Sequence, residues 1–339
     1  MFIKSIKFKN VKVLKNTVLP LGRFTLLIGP NGSGKTTAMR SLAAFRRGKW
    51  PWSGGFSVGL EGNPHEWEAS MVLKWSSEPN EEWLDNITSS INRRRRLEHS
   101  RGTGGINPGH NESLNFWLQE IRFYSFDAVQ IAMQSKLQAK VEMAESGTKL
   151  AVVLDRLRDD NPERFKSVNE AIKNWLPEFD SILFDVPTEG DRSISLRTRK
   201  GGHKISAGDL SQGTLIALAL LTLAYLPEPP TLVLLEEPDR GLHPRLMHDV
   251  KDALYRLAFP EESGEDREPV QVVVTTHSPY FLDLFRDNPE QIVIAEKKGN
   301  EATFTRLVDR DDLDGLLDGE SSLGDLWYSG VLGGVPTEK

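Results

Sequence analysis

Three short apolar runs punctuate the chain: Phe24 to Ile28, Thr231 to Leu235 and Gln271 to Thr276. Their length and their abrupt polar endings predict buried strands. A longer run, Leu215 to Leu226, predicts a buried helix and is too short to span a bilayer. Ala38-Met39-Arg40-Ser41-Leu42 reads as the opening of a helix behind the first run. Leu150, Val153, Leu154 and Leu157 share one helical face and Asn161-Pro162-Glu163 opens another helix, so residues 127 to 180 are expected to be helical. Ile194 and Leu196 alternate with Arg192, Arg197 and Arg199 and run into Gly201-Gly202, which predicts a hairpin. Ile121 to Tyr124 is strand-like. From residue 48 to about 120, short polar and apolar stretches such as Phe56 to Leu60 alternate among six tryptophans (50, 52, 67, 75, 83 and 117), the pattern of a small β-rich lobe. No heptad pattern is sustained, which argues against a long coiled-coil arm.

Composition narrows this picture. A chain of 339 residues holds one large α/β domain or a core with an insertion; the expected division is residues 1–47 and 186–339 as two halves of a core, with 48–185 as an inserted lid. The absence of cysteine excludes disulfides, thiolate metal sites and a cysteine nucleophile, and it fits a cytoplasmic location. No signal-peptide h-region follows Met1; Lys4, Lys7, Lys9 and Lys12 stud the first strands instead. A net charge of −6 argues against indiscriminate coating of nucleic acid, while a local basic patch remains able to bind it. Arg93-Arg94-Arg95-Arg96, helped by Arg101 and Lys74, either tracks a phosphate backbone or is a solvated helix end. The acidic segment 261–269 reads as an exposed loop, and the tail from Leu313 to Gly330 either docks a partner or packs back on the domain.

The chemistry lies where the apolar runs end. Phe24 to Ile28 passes into Gly29-Pro30-Asn31-Gly32-Ser33-Gly34-Lys35-Thr36-Thr37, a phosphate-binding loop between strand and helix. Its backbone N–H groups curl around phosphates, Lys35 supplies a point charge and the Thr36 hydroxyl reaches Mg²⁺. The second run ends in Glu236-Glu237-Pro238. Two acids at a strand end, pointed apart by the pleat, take separate roles: Glu236 on the metal and Glu237 orienting the attacking water. The third run ends in His277-Ser278-Pro279, where an imidazole can donate to a γ-phosphate. Leu210-Ser211-Gln212-Gly213-Thr214 precedes the apolar helix and makes a second anion site, which a single phosphate-loop domain does not need for its own nucleotide.

Phosphate loop, Leu-Ser-Gln-Gly signature, Walker B acids with the following Pro-Asp-Arg-Gly-Leu-His-Pro loop, and Thr-His-Ser-Pro switch occur here in the order that resembles an ABC-type ATPase. The soluble branch holding RecF-like, chromosome-maintenance (SMC) and overcoming-lysogenization-defect (OLD) ATPases, often grouped as AAA-family ATPases of prokaryotic defence systems, is the most similar, and Phe8-Lys9-Asn10-Val11 resembles its opening strand. That resemblance covers roughly residues 1 to 47 and 203 to 285. It implies an α/β P-loop fold with a central mixed or parallel sheet, an N-terminal antiparallel β subdomain and an inserted α+β lid. It also implies ATP and Mg²⁺ as cofactors, and a head-to-tail homodimer or higher even oligomer with ATP sandwiched between the phosphate loop of one subunit and Ser211 and Gly213 of the other. In the carried-over roles, Lys35 holds phosphate, Thr36 and Glu236 hold the metal, and Glu237 is the catalytic carboxylate. His277 senses the γ-phosphate, Asn10 lies near the nucleotide and Asp239 sits in the loop that communicates across the interface.

Three departures stand out. Glu236 replaces the usual aspartate, Gln212 replaces the second residue of a Ser-Gly-Gly signature, and the metal-linking glutamine is not fixed: Gln119 and Gln130 both flank the strand-like Ile121 to Tyr124, and either can equally be a surface residue. The expected function is an ATPase whose dimer cycle controls a DNA-linked or anti-phage effector. Some 60 residues after His277 leave no room for the Toprim nuclease of OLD enzymes, so a separate nuclease or toxin is expected as partner, with DNA as a further candidate and no membrane. The alternatives are a slow-hydrolysing scaffold that sequesters such an effector and, behind it, a transporter's nucleotide-binding subunit.

Overall fold

The computed structural model describes residues 2–47, 68–78, 81–92, 97–101, 116–139, 141–317, 319 and 321–333. It divides into two compact units: Met1–Phe123 with Pro230–Leu234 and Val270–Lys339, and Tyr124–Pro229 with Leu235–Pro269. Arg93 to Arg96, the glycine-rich stretch after them and Trp50, Trp52 and Trp67 lie outside the described residues.

The first unit holds two sheets. Strands β1 (Phe2–Val11) and β2 (Leu14–Pro20) form an antiparallel pair, and β1 pairs on its other side with β4 (Glu68–Glu78), followed by β5 (Glu81–Asn92) and β6 (Leu97–Arg101), in the order β2-β1-β4-β5-β6. Alternation drives β1: Ile3, Ile6 and Phe8 are buried while Lys4, Lys7 and Lys9 are exposed. The second sheet is built on β3 (Phe24–Ile28), buried at every position, between β13 (Gln271–Thr275) and β14 (Ile292–Lys298), both parallel to it. β15 (Glu301–Arg306) adds antiparallel to β14, and β12 (Leu232–Glu236) and β7 (Ile121–Tyr124) extend the other side, giving β15-β14-β3-β13-β12-β7. Parallel strands buried on both faces read as unbroken apolar runs, and those runs are what the sequence displays. Helix α1 (Lys35–Arg47) packs Ala38, Met39, Leu42 and Phe45 into the core they share with Ile6, Phe8, Leu14 and Leu27. Gln271, fully buried, ties the two sheets together: its Nε2 donates to the carbonyls of Ile3 and Gly22, both at 2.8 Å, and its Oε1 accepts from the Ile3 N–H at 2.9 Å. Removing that amide strands the two buried backbone groups of Ile3, which costs about 1–3 kcal/mol each.

In the second unit, β10 (Asp191–Thr198) pairs antiparallel with β9 (Phe179–Asp185), β11 (Lys204–Ser206) and the short β8 (Ser135–Lys136). The expected hairpin is present, its turn made by Gly201 and Gly202 at φ 81° and 63°. Around it lie α2 (Ala128–Ala132), α3 (Leu150–Asp160), α4 (Pro162–Trp175), α5 (Gln212–Ala224) and α6 (Met247–Ala258). α3 buries Leu150, Val153, Leu154 and Leu157, and α4 starts at Pro162, where the missing N–H costs nothing. The stretch before α3 departs from the helical expectation: α2 is five residues long and Gly147 turns at φ 87° against Ile131 and Phe126, which breaks the pattern. Asp155, buried in α3, pairs with Arg192 Nε of β10 at 2.9 Å and with Arg158 at 2.8 Å. The acidic segment before β13 is exposed at most positions, but Glu265 is half-buried and takes Arg256, Arg267 and Arg164 at 2.5, 2.9 and 3.6 Å.

The first unit also includes α7 (Pro279–Asp283), α8 (Leu313–Leu317) and α9 (Leu323–Tyr328). Among the described residues no helix is long and apolar enough to cross a membrane.

Candidate functional site

At the carboxyl edge of β3 the chain turns into the phosphate loop, and the parallel register brings its neighbours to the same edge. Thr275 stands opposite Leu27 and Ile294 opposite Ile28, so His277 and the residues after Ile294 emerge beside Gly29. Ligands bind at such carboxyl edges because successive strand-to-helix turns open there.

The loop is shaped by its glycines. Gly34 has φ 90°, and a side chain there would begin 2.7 Å from Leu14, while Gly29 lies so close to the Ala295 carbonyl that no Cβ fits. The Lys35 ammonium, 6% exposed, donates to the carbonyls of Gly29 at 2.7 Å and Pro30 at 3.0 Å, holding the loop around its own charge. Asn31, Gly32 and Thr36 are exposed, and Thr37 begins the anchoring of α1 through its carbonyl, which accepts from Ser41 Oγ at 2.7 Å. The Ser33 hydroxyl is fully buried and has no hydrogen-bond partner among the described residues. A phosphate oxygen within the loop satisfies such a group.

Three further cations of the first unit were not anticipated as part of the site, and one of them, Lys297, lies at the loop. The Lys12 ammonium has its pKa lowered by burial and then by the like charge of Arg40. Arg40 itself stands over the Phe123 ring at 4.6 Å. Lys297 Nζ lies 3.9 Å from where a side chain at Gly32 would begin. Lys12 sits in the β1–β2 turn beside Asn10, both at positive φ (53° and 57°). Asn10 faces a separate concavity of about 730 Å³, shared with Lys7, Lys9, Lys15, Asn16 and Asn300.

His277 leaves β13 exposed, followed by Ser278, whose Oγ accepts from the Phe281 N–H at 3.3 Å and caps α7. The Trp327 ring faces the imidazole, with centroids 6.5 Å apart and planes inclined by 28°.

The second unit carries the signature and the acidic strand end. Ser211 is the N-cap of α5, its Oγ accepting from the Thr214 N–H at 3.1 Å and lying 2.8 Å from the Thr214 hydroxyl. The helix behind it is apolar on all sides and buried from Thr214 to Ala224, which fixes its N-terminus firmly. A Cβ at Gly213 would stand 2.7 Å from the Gly241 carbonyl, so the signature rests directly on the loop that follows the Walker B acids. In that loop Asp239 is buried and Arg240 donates to the Phe126 carbonyl at 3.1 Å. β12 ends at Glu236, and Glu237 turns into the left-handed region at φ 45°. The separation of the two acids is therefore set by a left-handed residue after the strand; the pleat alone does not set it. Gln130 is engaged within this unit, accepting from Thr148 Oγ1 at 3.3 Å.

Thr36, at the start of α1 in the first unit, offers a hydroxyl oxygen, and Glu236, at the end of β12 in the second unit, offers a carboxylate; both are hard oxygen donors of the kind Mg²⁺ takes.

Comparison with known proteins agrees with this geometry. The AAA_21 family, described as "AAA domain, putative AbiEii toxin, Type IV TA system", matches residues 24–283. An OLD nuclease of Thermus scotoductus (strain ATCC 700910 / SA-01) is 22% identical over 362 residues, covering 93% of this chain and 66% of that protein's length. Among solved structures, an SMC head bound to the C-winged helix domain of ScpA superposes with a TM-score of 0.61 at 17% identity, covering 90% of this chain and 97% of the other. An Smc head with an extended coiled coil bound to the C-terminal domain of ScpA, derived from Pyrococcus furiosus, gives 0.56 at 15% identity, with 90% and 96% covered. The SMC head domain from Thermotoga maritima gives 0.50 at 16% identity, with 90% and 99% covered. The chain belongs to the AAA_21 family of AAA domains, and its fold is that of SMC heads.

Proposed function

We propose that this chain binds MgATP at the phosphate loop and hydrolyses it in a head-to-tail dimer whose cycle controls a separate effector. The observation that carries this reading is the buried Ser33 hydroxyl, without a hydrogen-bond partner among the described residues, in a glycine loop that also encloses the Lys35 ammonium, beside a switch histidine at one sheet edge. Lys35, Lys12 and Lys297 would neutralise the phosphates; Thr36 and Glu236 would hold Mg²⁺, which would supply charge to polarise the γ-phosphate. Glu237 orients the attacking water and accepts its proton, while His277 donates to the γ-phosphate. Ser211 and Gly213 complete the site of the partner subunit, and Gly213's seat on the Gly241 carbonyl links that event to the loop carrying Asp239.

The effector is a nuclease or toxin on another polypeptide, in an anti-phage role consistent with the OLD relative. DNA is the proposed trigger, received on the lysine-lined concavity of the first unit. Glu236 in place of aspartate favours a second reading, in which metal placement is poor, turnover is slow and the ATP-bound dimer serves as a scaffold.

The test is steady-state ATP turnover at several protein concentrations, with and without double-stranded DNA. Turnover is expected to rise with concentration and with DNA, and to fall at least about 10²-fold in Lys35→Ala and Glu237→Gln. Glu237→Gln is also expected to accumulate an ATP-bound dimer on a sizing column. Turnover that survives in Glu237→Gln removes the catalytic assignment. Slow turnover indifferent to DNA, with tight ATP binding, selects the scaffold.

A further inference from the structure

The C-terminal segment packs back on the switch. Arg286, just beyond α7, gathers the approach to α9 through three carbonyls: Ser321 at 2.7 Å, Gly319 at 2.8 Å and Leu317. Ser322 then caps α9, its Oγ accepting from the Asp325 N–H at 3.0 Å. Asp283, the last residue of α7, accepts from the Gly324 N–H at 2.6 Å. A Cβ at 324 would stand 2.8 Å from both the carbonyl and Cβ of Pro279, so α9 lies almost backbone to backbone on the residues that follow His277. The seat is completed by Leu323, which is fully buried, and by Trp327, 7% exposed, whose indole faces the imidazole at 6.5 Å and 28°. Tyr328, the next residue, is 86% exposed, so the helix turns one aromatic toward the switch and its neighbour away.

We infer that Trp327 is a positioning residue: through its stack on His277 the C-terminal helix holds the switch imidazole in the orientation from which it donates to the γ-phosphate. Rotation about its two side-chain torsions sets where an imidazole's nitrogens point. An indole against the ring face restrains that rotation by an offset stack at a normal aromatic separation, and it leaves the ring edge, which carries both nitrogens, for hydrogen bonds. The helix bearing the indole is fixed to Pro279, Asp283 and Arg286, all within ten residues of His277, so the switch and its support move as one piece. The inference rests on the reading of His277 as the γ-phosphate donor.

The experiment uses the full chain with Trp327→Leu, Trp327→Phe, His277→Ala and, as a structural control in the same helix, Leu323→Ala. Four quantities are read: kcat, KM, affinity for a fluorescent ATP analogue, and the ring NMR signal of His277, assigned by its loss in His277→Ala. Trp327→Leu is expected to lower kcat about 10-fold through a misplaced donor, with KM and analogue affinity within about 2-fold, and to shift the His277 signal. Trp327→Phe restores most of kcat because a ring again covers the imidazole. Leu323→Ala lowers Tm at least as much without that split of kcat from KM. Wild-type kcat in Trp327→Leu overturns the inference, as does equal impairment of the Phe and Leu variants in proportion to lost Tm. Failure of the underlying reading appears separately, as turnover indifferent to His277→Ala.

Discussion

Glu237 stands at φ 45° immediately after a strand whose four preceding residues are fully buried. A left-handed conformation costs a residue with a Cβ about 1–2 kcal/mol, and here the cost falls on the residue proposed to orient water. Backbone strain of this kind persists when the surroundings overdetermine it: the Glu237 carbonyl accepts from the Arg240 N–H at 3.1 Å, and the Asp239 carbonyl from the Leu242 N–H at 3.2 Å, closing the turn. Glu237→Gly is therefore expected to stabilise the chain by about 0.5–1 kcal/mol, the relief of strain less the greater unfolded-chain entropy of glycine, while abolishing turnover. Glu237→Gln keeps the Cβ and loses turnover at unchanged stability. Thermal unfolding of the two variants side by side decides the matter: a glycine variant no more stable than the glutamine variant means that the turn holds no strain.

At the scale of elements, what was legible in the sequence was local. The phosphate loop, the signature cap, the hairpin at Gly201-Gly202 and the Pro162 helix start are each written within a few consecutive residues, because turns and caps are decided by neighbours. The three apolar runs were legible because strands buried on both faces tolerate little else. Lys297, Gln271 and Trp327 were not, because their partners at Gly32, Ile3 and His277 are brought near only by sheet register and helix docking. Glu265 was misjudged with its exposed neighbours for the same reason: its arginines come from α4, α6 and the following loop. Asp249, in the first turn of α6, shows how packing overrides a local rule. A carboxylate there is favoured by the helix N-terminus. Burial, and then the like charge of Asp252, nevertheless raise its pKa above the ordinary 3.8, against smaller opposing effects of Arg245 and His248. The folded chain thus holds this proton more tightly than the unfolded chain. Its contribution favours folding most below the ordinary value and is lost as pH rises through the folded one. Asp249→Asn is expected to raise Tm at pH 7, with the difference shrinking towards pH 4. A lower Tm at pH 7 means that the helix terminus outweighs burial.

At the scale of the whole molecule, net charge and local charge point in opposite directions. The chain carries −6 overall, yet β1 turns Lys7 and Lys9 to the same exposed face, and Lys15 and Asn16 on β2 join them around a concavity of about 730 Å³. Lys9 stands in register with Asn16, and Asn300 of the β14–β15 turn supplies a further amide, while Glu301 is the single acid of that lining. Like charges gathered on a sheet face destabilise it unless something anionic answers them, and amides add hydrogen-bond donors without adding repulsion. On an acidic protein such a face selects by local field: it attracts a phosphate backbone where the rest of the surface repels one, so binding is confined to one orientation. Each lysine that neutralises a phosphate releases counterions and contributes about 0.9 to the slope of log affinity against log salt. The triple replacement of Lys7, Lys9 and Lys15 by Gln is expected to flatten that slope for double-stranded DNA by about 2–3. It should also abolish stimulation of turnover by DNA, while turnover without DNA stays at the wild-type level because the phosphate loop and His277 are untouched. An unchanged slope moves the DNA-binding surface elsewhere on the chain, with Arg93 to Arg96 the next replacement to make. A flattened slope with stimulation intact would mean that DNA binds this face without reaching the ATPase, and the trigger would then have to be sought in the effector.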